Sequence, residues 1–86
     1  MIKVRVKFFA VLTDVVGAKE LAVEINKEKA TVKEILEYIR NRYPKFKEIE
    51  KDIPILTLVN GVNVLLDEEV KNGDEVSLLP PVSGGC

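Results

Sequence analysis

An α+β domain, with a mixed sheet of about five strands and one main helix packed across one face, is predicted by three features of the sequence. Residues 2–8 alternate strictly between apolar and basic, the pattern of a half-buried strand. From Val32 a capped stripe of apolar residues recurs at helical spacing. Further on, an apolar run is followed at once by Asn60-Gly61, a two-residue hairpin signal.

The size and composition agree with that class. Eighty-six residues make one domain, which buries about 60 to 65% of the unfolded chain's surface. Its hydrophobic fraction is 47% but its aromatic fraction only 6%, so Val, Ile and Leu must build the core. Such residues favour strands.

In chain order, Ile2, Val4, Val6 and Phe8 face the core and Lys3, Arg5 and Lys7 the solvent. Phe9 falls on the outward parity. Residues 10–16 suit a short helical turn, with Gly17 placed to stop it. Leu21, Val23 and Ile25 alternate with Glu20, Ala22 and Glu24, giving a second strand antiparallel to the first. After the charged connection Lys27-Glu28-Lys29, the run Thr31-Val32-Lys33-Glu34 reads as a capping box. A helix should follow, with Val32, Ile35, Leu36, Ile39 and Tyr43 on its inner face and Pro44 as its end. Tyr38 and Tyr43 read as packing residues. Residues 45–52 are polar apart from Phe46 and Ile49, consistent with a loose helical turn.

Ile55-Leu56-Thr57-Leu58-Val59 is nearly continuous in apolar residues, which predicts a strand covered on both faces. Residues 62–65 return as a short partner strand. A second turn at Asn72-Gly73-Asp74 leads into a last strand, Glu75 to Leu79. The acidic residues Asp67, Glu68, Glu69, Asp74 and Glu75 lack the spacing of a calcium loop and are explained by turn chemistry. Since a meander alone would leave the helix unused, the helix crosses one face and sets a later strand parallel to the first.

Several functions are disfavoured. Thirteen basic and fourteen acidic residues give a formal charge of −1, so nucleic acid and anionic membrane are not expected partners. No apolar run approaches the ~20 residues of a membrane span, and the alternating start differs from a signal peptide, which together predict a cytoplasmic protein. With no histidine and one cysteine, the usual zinc sets and an internal disulfide are excluded. No metal site is expected.

The final residues, Pro80-Pro81-Val82-Ser83-Gly84-Gly85-Cys86, are the part best suited to function. Prolines end the strand and direct the chain outward. Seven extended residues reach roughly 20 to 25 Å, enough to thread a narrow channel in another protein, and Gly84 and Gly85 would let its walls close on bare backbone. The predicted organisation is a folded domain over residues 1–79 and an extended flexible tail over residues 80–86.

These residues also carry a resemblance. Ile2-Lys3-Val4, Phe8-Phe9-Ala10, Val16-Gly17, Leu58-Val59-Asn60, Gly73-Asp74-Glu75-Val76 and Pro80-Pro81-Val82-Ser83-Gly84-Gly85 are similar to the sulfur-carrying small subunits of molybdopterin synthase, the MoaD type. That family belongs to the ubiquitin-like β-grasp group that also holds the ThiS carriers of thiazole synthesis.

The resemblance implies a non-catalytic carrier subunit of a transferase complex. Its terminal glycine carboxylate, at Gly85, would be adenylated by an E1-like enzyme (MoeB type) using ATP and magnesium. A sulfur donor protein would then supply the sulfur of a thiocarboxylate. With the large synthase subunit (MoaE type), the carrier would pass sulfur to a pyranopterin precursor of the molybdenum cofactor. The chain itself would hold no cofactor. Gly84 would be the slender neighbour of Gly85, while Phe9, Leu79, Pro80, Pro81, Val82 and Ser83 would meet partners. The same tail would also serve a ubiquitin-like modifier joined to lysines, or a carrier for thiamin thiazole.

One position departs from the pattern, because Cys86 follows Gly85 and occupies its carboxylate in a peptide bond. Removal of Cys86, or its being a non-native addition, is preferred over a working thiol, since nothing basic in the tail would lower a thiol pKa of about 8.5.

Overall fold

The computed structural model describes residues 1–80; the expected site positions Pro81, Val82, Ser83, Gly84, Gly85 and Cys86 lie outside the described residues. Strand β1 (Ile2–Phe8) buries Ile2, Val4, Val6 and Phe8, as its alternation predicts. After a tight turn comes α1 (Val11–Val16), which buries Leu12 and Val16 and stops at Gly17 in the left-handed region. Strand β2 (Glu20–Ile25) returns antiparallel to β1, with Val23 opposite Val4.

The short strand β3 (Ala30–Thr31) leads into α2 (Val32–Arg42). Half of the expected capping box is present. The Thr31 hydroxyl accepts from the Glu34 amide at 3.4 Å, but the Glu34 carboxylate takes the Lys27 ammonium at 3.1 Å instead of reaching back. Val32, Ile35, Leu36 and Ile39 are buried on one stripe.

Residues 44–52 differ from expectation. They form a full helix, α3 (Pro44–Asp52), with proline in its first turn, where a missing amide costs nothing. Phe46 is fully buried and meets Phe8 edge to face, with ring centroids 6.4 Å apart. Arg40 and Glu50 join α2 to α3 through two parallel bonds, Nε to Oε1 at 2.7 Å and Nη2 to Oε2 at 2.9 Å. This bidentate pair is partly shielded from water, and its fork geometry is the strong form of such a bond.

Strands β4 (Leu56–Val59) and β5 (Val62–Asn63) form the hairpin, with Asn60 at φ 50° and Gly61 at φ 84°, the two positive values that a type I′ turn requires. The expectation that the β4 run is covered on both faces is not met. Thr57 and Val59 are buried, but Leu56 is 37% exposed and Leu58 half-buried. All helical residues of the core pack on the other side of the sheet, so the outward leucines stay on an open face. Strand β6 (Glu69–Val70) pairs with β3, a two-stranded ladder that places Val70 and Ala30 in the core.

The last strand, β7 (Glu75–Leu79), completes a five-stranded sheet of order β2-β1-β7-β4-β5. β1 and β7 are parallel at its centre, as the crossover argument predicts, and the other neighbours are antiparallel.

Ala10, in the turn between β1 and α1, has φ 55° and ψ −132°, a region that only glycine adopts without strain. Ala10→Gly should therefore raise the urea midpoint. Strain of about 1–3 kcal/mol is relieved, against about 0.4–1 kcal/mol of added unfolded-chain freedom. A lowered midpoint would show that Ala10 is held there without strain.

Candidate functional site

The tail leaves the sheet from β7, which lies between β1 and β4 and is hydrogen-bonded on both sides. Val76 and Leu78 are fully buried, whereas Glu75, Ser77 and Leu79 alternate onto the open face. A central strand gives the residues that follow it a fixed point of departure. Pro80, the next residue, is half-buried.

Two turns fix the other end of β7. The Asn60 side chain donates to Asp74 Oδ1 at 3.0 Å and accepts the Glu75 amide at 3.0 Å, while the Asn60 amide donates to the Glu75 carbonyl at 2.8 Å. Asp74 Oδ2 accepts the Lys71 amide at 2.8 Å, and Asn72 Oδ1 accepts the Lys3 amide at 2.9 Å. Asn60, Asn72 and Asp74 thus tie the β4–β5 hairpin turn and the β6–β7 turn to β1 and β7. The sequence marks them as turn residues, and their habit of bonding nearby backbone is the signal that exposes this second role.

At the exit, Leu79 stands directly opposite Leu56 of β4. Phe9 lies one step beyond the Phe8–Leu78 register pair, and its amide donates to the Leu78 carbonyl at 3.3 Å. Phe9 is 41% exposed. Phe9, Leu79 and Leu56 therefore form an apolar row across three adjacent strands, with Leu58 next along β4. The structure brings the predicted Phe9 and Leu79 together on one face. Leu56, which belongs with them, was hidden in the sequence by an apolar run that reads as uniformly buried.

The rest of that face is charged and internally matched. Arg5 Nε lies 2.9 Å from Glu20 Oε1, and Lys7 Nζ lies 2.7 Å from Glu75 Oε1. Both pairs are diagonal cross-strand neighbours. The hydrogen bond from the Lys7 ammonium holds the Glu75 carboxyl below the usual glutamate range. Exposed pairs of this kind contribute little to stability, because water and salt screen them. An apolar row bordered by self-compensated charge has the composition of a protein docking surface, an apolar centre with a polar rim.

Among the described residues no cluster of three or more potential ligands could hold a metal ion, and no helix is long and apolar enough to cross a membrane.

The chain is similar to proteins across nearly its whole length. A molybdopterin synthase sulfur carrier subunit from Haemophilus influenzae is 30% identical over 80 residues, spanning 93% of this chain and 96% of the relative. Small archaeal modifier protein 1 of Haloferax volcanii is 33% identical, spanning 92% of this chain and 97% of the relative. Among solved structures, a Pyrococcus furiosus protein described as a candidate molybdopterin converting factor subunit 1 superposes with a TM-score of 0.85 at 38% identity. The superposition covers 95% of this chain and 100% of that one. The match to the ThiS family runs from residue 6 to residue 85. It takes in the end of β1, the central strand β7 and the Gly84-Gly85 pair together, and the chain therefore belongs to the ThiS family of ubiquitin-like β-grasp proteins.

Proposed function

We propose that this chain is the sulfur carrier subunit of a molybdopterin synthase, with residues 1–79 as the folded body and residues 80–86 as the delivering tail. Full-length similarity at about 30% identity to proteins named molybdopterin synthase sulfur carrier subunit carries the reading. The apolar row of Phe9, Leu79 and Leu56 supports it, because it lies where the tail begins. Cys86 is removed first, which frees the Gly85 carboxylate. That carboxylate is a poor electrophile, so an E1-like enzyme joins it to the AMP part of ATP, with magnesium, and releases pyrophosphate. Sulfur from a donor protein then displaces AMP and leaves a thiocarboxylate on Gly85. The large synthase subunit supplies the catalysis, and Gly84 keeps the approach narrow. Pro80, Pro81, Val82 and Ser83 contact the partner along the approach.

A second reading has its own support, since the Haloferax volcanii relative is named a small archaeal modifier protein. In that reading Gly85 becomes joined to lysines of other proteins. Delivery to thiamin thiazole is the third.

Intact mass of the protein from its native cells tests the proposal. The expected species ends at Gly85 with one oxygen replaced by sulfur. Retention of Cys86 on every molecule during sulfur-replete growth would overturn it, and Gly-Gly remnants on substrate lysines without the sulfur species would favour the modifier.

A further inference from the structure

The chain must pass from the open face of the sheet at Phe9 to the core at Leu12 within three residues. Leu12 is fully buried, whereas Phe9 is 41% exposed. Such a reversal is made by a tight turn in which the Leu12 amide donates to the Phe9 carbonyl at 3.1 Å, and Ala10, at φ 55°, takes the strained first central position.

Strain persists only where the surroundings fix it. Here they converge on Thr13. Its hydroxyl donates to the Phe8 carbonyl at 3.0 Å, its amide donates to the Ala10 carbonyl at 3.1 Å, and its carbonyl accepts the Gly17 amide at 2.8 Å. Thr13 thus holds the backbone on both sides of Phe9 while touching neither the apolar row nor the tail in its own hydrogen bonds.

We propose that Thr13 is a positioning residue for docking: its hydroxyl holds the Ala10 turn so that Phe9 stands beside Leu79 before a partner arrives. This rests on the reading that Phe9 is partner-facing. An anchor fixed in advance loses less freedom on binding, which raises affinity without any new contact. A hydroxyl four residues along the chain can matter in this way because it fixes the turn on one side of Phe9, while the bond from the Phe9 amide to the Leu78 carbonyl fixes the other.

The test measures binding of full-length protein to the large molybdopterin synthase subunit of the same cells, at a temperature where every variant is folded. Phe9→Ala, Thr13→Val and Thr13→Ser are compared with the unaltered chain. Loss of one hydrogen bond should weaken binding on the order of fivefold in Thr13→Val, with Thr13→Ser restoring it. In the free protein, NMR contacts between the Phe9 ring and the Leu79 methyls should weaken in Thr13→Val and persist in Thr13→Ser. A purely structural threonine would change the unfolding midpoint and leave both readouts alone, and that result would overturn the inference. If Phe9→Ala binds normally, or the unaltered chain does not bind, the partner-facing reading itself falls and the inference with it.

Discussion

Removing residues 83–86 should abolish sulfur delivery while changing the stability of the domain by no more than about 0.5 kcal/mol, the usual range for surface changes. The last core residue among those described is Leu78, and the strand that carries it is bonded on both sides and clamped at its start by Asn60 and Asp74. The core of the described residues is thus in place by Leu78. Under the carrier proposal, delivery in contrast needs a carboxylate on Gly85. A variant that ends at Gly85 should be activated directly by the E1-like enzyme, read as pyrophosphate release, whereas the chain bearing Cys86 should be inert until that residue is cleaved. If the truncated protein keeps full activity, the tail is a passive end and the carrier proposal fails. If the Cys86 form releases pyrophosphate as fast as the Gly85 form, activation occurs at a side-chain-bearing residue and removal of Cys86 is unnecessary.

The parts of this fold legible in the sequence are those with a long enough period or a specific turn. Seven alternating residues define β1, and four residues at helical spacing define the inner face of α2. Asn60-Gly61 has one good explanation, and the structure shows it. The ladder of β3 with β6 is two residues long, too short for any periodicity, and Val70 enters the core without a pattern to announce it. In β4 the run of apolar residues hides which face is inner, because the open face is itself partly apolar there. That ambiguity is what a partly apolar open face produces: parity correctly placed Phe9 and Leu79 outward, but it could not separate Leu56 from the core. Thr13 carries no sequence signal at all, since its role depends on where the β1 to α1 turn brings its hydroxyl.

Phe46→Ala should be the most damaging single change in the body of the protein, at a cost of about 3–5 kcal/mol. A domain of this size has a total stability of only about 4–13 kcal/mol, so this variant approaches the unfolding threshold. Its midpoint should fall by at least about 12 °C, given about 4–8 °C per kcal/mol for so small a domain. Phe46→Leu keeps most of the volume and should cost less. The polar sequence of α3 argues for a peripheral helix, since Lys45, Lys47, Glu48, Lys51 and Asp52 all face out. The Phe46 ring argues the opposite, being fully buried against Phe8, the residue that precedes the exposed Phe9. Urea or thermal unfolding decides between them. A cost below about 1 kcal/mol, the range of ordinary surface positions and mild core changes, would mean that α3 is an appendage held mainly by the Arg40–Glu50 pair. A cost in the larger range would make α3 the element that seats the end of β1. In that case Phe46→Ala should weaken partner binding even at temperatures where the variant remains folded, because the cavity lies directly behind the backbone that presents Phe9.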